Sequence, residues 1–181
     1  PAAFGCGVPA GAVRAGKAAL ALLEWVEQGY PVSGLIKMLL SGLVKLAPFS
    51  TGAEESPSRT YCVSLLRKAR PALDCRCLEP EGKDERAGLI KDALRLLLHK
   101  APDVSAYTLS FGALVSSIRR ILEKGLTVYD PDEAAAKSDV LELLRSMEGI
   151  QRDLPPLKAT RRLRGIVKDL MTGAGGPLPG R

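Results

Sequence analysis

Apolar side chains recur along this chain at steps of three and four, and Gly and Pro break the pattern into short segments. Val13, Leu20, Leu23 and Val26 fall toward one side of a helix predicted over 11–28. Gly29 and the Tyr30-Pro31 pair end it, because Gly tolerates a left-handed terminus and Pro cannot continue a helix. The next stretch, 32–46, holds nine large apolar residues in fifteen positions. Its polar residues Ser33, Lys37, Ser41 and Lys45 lie four apart, which predicts a helix with a narrow polar stripe, stopped by Pro48. Gly34 and Gly42 each cost roughly 1 kcal/mol there, and close helix–helix approach compensates. Burying the aliphatic face contributes on the order of 10–20 kcal/mol before entropy. The segment therefore reads as a buried or groove-lining helix, with a partner-docking surface as the alternative. A helix lying on a membrane would carry a strongly basic face and boundary aromatics, which this one lacks.

After a polar loop at 50–58, a helix is expected over 59–70, closed by Pro71; "TYCVSLL" within it also fits a short strand. A charged connection at 71–85 leads to a fourth helix over 85–99, apolar nearly all round at its end and so expected to be central. A fifth helix is predicted over 104–124, with Tyr107, Phe111, Leu114, Val115, Ile118 and Leu122 in register. The sixth opens on "DPDEAAAK": Asp130 caps, Pro131 takes the first helical position and Glu133 completes a capping box. It runs to 147 with Val140, Leu141, Leu144 and Met147 inward. A last helix starts at Pro155-Pro156 and reaches Leu170. The fold class is all-α: a single bundle of six or seven helices over 11–171, with an irregular segment at 1–10 and a flexible tail or linker at 172–181.

Composition agrees. Of 181 residues only 4% are aromatic, so the core must be aliphatic, which favours helices over a sandwich of strands. A chain of this length buries roughly 70% of its unfolded surface and needs no metal or disulfide. The net charge of +6 is concentrated in the middle. Thirteen cations and eight acids over 58–129 leave +5, against 0 before and +1 after. Cys6, Cys62, Cys75 and Cys77 read as reduced thiols of an intracellular protein, nuclear or cytoplasmic. No apolar run of about 18 residues is long enough to span a membrane. Arg14, Lys17 and Glu24 argue against a signal peptide. A start at Pro1 without Met is expected of a processed product or an excised fragment.

Catalytic chemistry has little to work with. The one histidine, His99, sits at the end of the fourth helix, where it suits the helix dipole. There is no phosphate-binding Gly loop and no nucleophile elbow. Cys62, Cys75, Cys77 and His99 lack the spacing of a zinc site. The reading is a non-enzyme with no catalytic residue, cofactor or metal.

Basic residues cluster twice. Arg119, Arg120 and Lys124 share the end of the fifth helix. Lys158, Arg161, Arg162, Arg164 and Lys168 form a wide cationic face on the last helix, opposite Leu163, Ile166, Val167 and Leu170. Arg161, Arg162, Arg164 and Lys168 are the expected rim of a partner-binding groove. Arg119, Arg120, Lys124 and Lys158 are the alternative, a nucleic-acid surface, although interleaved aromatics for base stacking are missing.

Residues 140–170 add a resemblance. Leu141, Leu144, Met147 and Ile150 precede a short turn, and Leu157, Thr160, Arg164, Ile166 and Leu170 follow it. This pattern resembles the N-terminal helical domain of the elongation factor TFIIS, a fold shared with Elongin A and related to the integrase-binding domain of LEDGF. "RRLRG" at 161–165 departs from the Ile-Gly-Lys usual after the Thr. The resemblance implies a module that docks short disordered motifs of transcription factors. The expected function is thus a scaffold or adaptor domain binding a short or acidic protein segment between helices. Nucleic acid and a membrane surface through 32–46 are the rival partners.

Overall fold

The computed structural model describes residues 14–49, 58–68, 74–78 and 85–171. Seven α-helices carry the fold among them: α1 (Arg14–Glu27), α2 (Val32–Leu40), α3 (Arg59–Lys68), α4 (Glu85–Lys100), α5 (Phe111–Gly125), α6 (Pro131–Met147) and α7 (Pro156–Met171). Two 3-10 turns, Ala47–Phe49 and Cys75–Cys77, and a two-stranded antiparallel pair, β1 (Leu109–Ser110) and β2 (Asp153–Leu154), complete it. The all-α bundle expected from the periodicity is present. Expectations for 1–13, 50–57, 69–73, 79–84 and 172–181 lie outside the described residues.

α1 is the central helix. It packs against α2, α5, α6 and α7, and Ala18, Ala19, Leu22 and Leu23 on it are fully buried. This corrects the central place expected for α4, which lies over the Ala47–Phe49 turn and touches α5. Leu89, Leu96 and Leu98 of α4 remain half-buried. An apolar sector that wraps a helix is no guarantee of the middle position when Ala-rich α1 lets its neighbours come closer.

α1 and α2 end in the same way. Gly29 takes φ +76° and Gly42 φ +67°. After α1 the Gly29 amide bonds the Val26 carbonyl and the Tyr30 amide the Trp25 carbonyl; after α2 the Gly42 amide bonds Leu39 and the Leu43 amide Met38. This pair of reversed bonds is the Schellman arrangement, which needs a residue tolerant of left-handed backbone. The helix expected over 32–46 is therefore six residues shorter: Gly42 stops it, Val44 and Leu46 are buried from an irregular segment, and Phe49 is buried from the 3-10 turn that follows. Gly34 does serve close approach, since a Cβ there would lie 2.8 Å from Trp25 Cδ1.

α5 also differs. It begins at Phe111, and Tyr107 stands outside it, 94% exposed. Asp103 accepts from the Ser105 amide at 2.9 Å, a local turn that competes with helix. Leu109 and Ser110 are drawn into pairing with Leu154 and Asp153, and the Phe111 amide bonds the Arg152 carbonyl. The "TYCVSLL" segment is helical, within α3. At the start of α6 the Asp130 carboxylate accepts from the Glu133 amide at 2.7 Å, as expected. Glu133 reaches back one residue further than a capping box requires, to the Tyr129 amide at 3.0 Å. Lys137 binds the free carbonyls of Glu123 and Leu126 at the end of α5. No helix among the described residues is long and apolar enough to cross a membrane.

Candidate functional site: a basic-rimmed groove along α2 and α3

The left-handed turn at Gly42 swings the chain away from the α2 axis and leaves the end of that helix facing α3. Two clefts follow. One, of about 400 Å³, lies over the turn between Leu39, Val44, Leu46 and Cys62, with Lys45, Arg59 and Tyr129 at its edge. The other, of about 410 Å³, runs between Leu40 and the outer face of α3, lined by Arg59, Thr60, Val63, Ser64, Arg67 and Lys68. Arg59 lines both, so the two clefts adjoin along α2 and α3, and together they make up the groove. Leu40 is half exposed along it, on a helix that otherwise buries Val32, Leu35, Met38 and Leu39.

Among the described residues no carboxylate lines either cleft, so their charge is one-sided. Arg59 donates to the Leu40 carbonyl at 3.4 Å, a loose C-terminal cap for α2. Arg67 and Lys68 lie exposed in the last turn of α3, where cations suit the dipole. Lys45 is anchored by its own amide, which bonds the Gly125 carbonyl at 2.9 Å. Its Nζ lies 5.2 Å from the Tyr129 ring centroid, and the Arg14 guanidinium 4.7 Å from it. Hydrogen bonding from Lys45, helped by Arg14, holds the Tyr129 phenol below the usual tyrosine pKa. Arg14 is itself built in: it bonds the Gly42 and Thr127 carbonyls and pairs with Glu133 at 3.3 Å.

The residues singled out from charge clustering stand elsewhere. On α7, Arg161 and Arg164 both close on Glu27 of α1, each at 2.8 Å. The Arg161 hydrogen bond, then the Arg164 charge, hold the Glu27 carboxyl below the usual glutamate pKa against the opposing effect of burial. The shallow depression beside them is lined by Glu27, Arg161, Arg164, Gly165 and Lys168, with no apolar side chain among the described residues. Arg162 lies over the Phe111 ring at 5.9 Å and Lys168 is exposed. Arg161, Arg164 and Lys168 thus share one depression while Arg162 lies apart over Phe111, two of the four cations are answered by α1, and no apolar side chain of the described residues floors the depression.

The nucleic-acid set is dispersed in role. Arg119 is mostly buried and paired with Glu123 and Glu148. Lys124 lies over the Phe49 ring at 5.4 Å. Arg120 and Lys158 are exposed on α5 and α7. Of the thiols, Cys62 and Cys75 are buried and Cys77 is exposed. His99 is exposed at the end of α4. Among the described residues no group of three His, Cys, Asp or Glu side chains is placed to hold a metal ion.

Charge clustering missed the groove's cations, because Lys45 and Arg59 stand apart in sequence from the adjacent pair Arg67 and Lys68. The available signal was "LLSGLVK" at 39–45: a Gly after Ser in the run is a helix stop, and it turns Leu40 and Lys45 into flanks of a corner. No family model, curated protein or solved structure matches the chain.

Proposed function

We propose that this chain is a non-enzymatic protein-interaction domain, a scaffold or adaptor whose α2–α3 groove receives a short acidic segment of a partner protein. The observation that supports it most is the groove itself: apolar Leu40 and Val63 beside Arg59, Arg67 and Lys68, with Lys45 at the far end and no lining carboxylate among the described residues. An acidic segment with apolar side chains would bury the latter and neutralise the rim, with the charges steering the encounter. Nucleic acid fits less well, since a phosphate backbone leaves the apolar floor uncovered and asks for more cations than these. The resemblance of residues 140–170 to the TFIIS N-terminal domain supports a transcription-related partner in the nucleus or cytoplasm. On this reading the α7 face, with Arg161 and Arg164 engaged by Glu27, is a secondary contact at Arg162 and Lys168.

The test is fluorescence anisotropy with labelled peptides that combine Asp and Glu with Leu and Phe, set against all-acidic peptides, single-stranded RNA and duplex DNA. Binding that requires both the acidic and the apolar residues, and falls only modestly with added salt, is the expected result. Preference for nucleic acid with a steep salt slope contradicts it.

A further inference from the structure

The end of the groove over Gly42 differs in chemistry from the α3 end. It is a pocket rather than a furrow, and its polar wall is made of donors. Lys45, Arg59 and Tyr129 line it. The Arg14 and Arg59 guanidiniums both approach Gly42: a Cβ at that position would lie 3.4 Å from Arg14 Nη2 and 3.6 Å from Arg59 Nη1. Three cations thus converge on one turn. Glu133, paired with Arg14, is the only carboxylate that the ion pairs of the described residues place against any of the three. Arg59 spends one donor on the Leu40 carbonyl and has four more in its planar fork. Lys45 Nζ lies 5.2 Å from the Tyr129 ring centroid, and Lys45, with Arg14, holds that phenol below its usual pKa.

We propose that this pocket is a phosphate cradle, in which Lys45 and Arg59 bind the phosphoryl group of a phosphoserine or phosphothreonine carried by the docked segment. The proposal rests on the docking reading above and adds to it a regulation: phosphorylation of the partner, rather than its acidic residues alone, sets the affinity. A phosphomonoester brings close to two negative charges and three acceptor oxygens. A carboxylate brings one charge and two oxygens. The pocket offers a point charge from Lys45 and a fork from Arg59, a pairing suited to the larger group. Apolar Leu39, Val44 and Leu46 behind it exclude water on one side, so the contacts are not fully screened. The geometry also sets a direction. The partner's apolar residues lie along α3 toward Lys68, and its phosphate at the Gly42 end.

Two readouts test this. The first is titration of the whole chain with O-phosphoserine and with inorganic phosphate, followed by amide chemical shifts. Shifts confined to residues 42–46, 59 and 127–130 are expected, and their absence overturns the proposal whatever the peptides do. The second compares one acidic-apolar peptide in three forms: unmodified, phosphorylated at a terminal serine, and with Glu at that serine. Phosphorylation is expected to tighten binding roughly tenfold, Glu by much less, and Lys45→Gln to remove most of the gain, read within that variant as the ratio of its affinities for the phosphorylated and unmodified peptides. If the unmodified peptide binds but phosphorylation adds nothing, the cradle is wrong and the docking reading stands. If no form binds, both fall. Lys45-dependent capture of vesicles containing phosphatidic acid, in preference to the phosphopeptide, would assign the pocket to a lipid headgroup and overturn the proposal.

Discussion

Trp25 and Tyr30 meet edge to face, ring centroids 4.9 Å apart, across the left-handed turn that closes α1. In a Schellman turn these are the two positions whose side chains pack together. The indole Nε1–H donates to the Pro31 carbonyl at 3.0 Å, and the Tyr30 hydroxyl donates to the carbonyl of Pro102, across the fold. One corner thus ties α1, α2 and the loop after α4 together. Tyr30→Phe keeps the ring contact and leaves the Pro102 carbonyl without its donor. It should lower stability by about 1–2 kcal/mol in chemical denaturation, with the slope unchanged.

Gly112 and Gly88 predict opposite signs for the same substitution. A Cβ on Gly112 would lie 2.2 Å from the Glu148 carbonyl oxygen, where α5 starts beneath the end of α6. Backbone cannot swing aside as a side chain can, so Gly112→Ala should cost about 3 kcal/mol. A Cβ on Gly88, exposed on α4, meets nothing within 4 Å. Gly88→Ala should raise stability by up to about 1 kcal/mol. Thermal unfolding of the two variants beside the parent checks both.

The Glu27 pair with Arg161 and Arg164 carries a pH dependence. The folded state holds this carboxyl below its usual pKa, first through Arg161 and then Arg164. Its contribution is therefore present above the ordinary glutamate value and is lost as pH falls through the depressed one. Glu27→Gln should lower stability by about 1 kcal/mol at pH 7. The difference between variant and parent should shrink below about pH 4. Denaturation at a series of pH values reads this directly.

Cysteine reactivity should separate by burial. Burial pushes the Cys75 thiol up to about 12, with Asp74 adding to it, and burial raises Cys62 as well. Cys77, two residues from Cys75, is exposed. In a Cys6→Ser background a maleimide at pH 7.5 should label Cys77 first, with Cys62 and Cys75 labelled only on unfolding. Mass spectrometry of the modified peptides identifies the order.

The helices were legible because each carries a spaced apolar face, and the Asp130-Pro131 start was legible because capping is local chemistry. What escaped the sequence was decided at longer range. Ala18 and Ala19 make α1 central, and small side chains give no periodic signal as strong as the leucines of α4. Tyr107 fits the α5 register, yet the pairing of Leu109 and Ser110 with a strand 44 residues away takes the chain out of helix. The candidate site shows the same division. Arg161 and Arg164 cluster in sequence, but their partner Glu27 is 134 and 137 residues distant. Lys45, Arg59 and Tyr129 do not cluster in sequence at all, and only the Gly42 turn brings them to one pocket.

A head-to-head comparison of two charge reversals tests the central claim, that partners dock along α2 and α3. Both Arg67→Glu/Lys68→Glu on α3 and Arg162→Glu/Lys168→Glu on α7 change exposed residues and alter the net charge equally, so general electrostatic attraction cancels between them. Anisotropy of an acidic-apolar peptide should show affinity reduced at least tenfold for the α3 pair and by severalfold less for the α7 pair, a secondary contact. Equal losses, or a larger loss for the α7 pair, would contradict a groove at α2–α3.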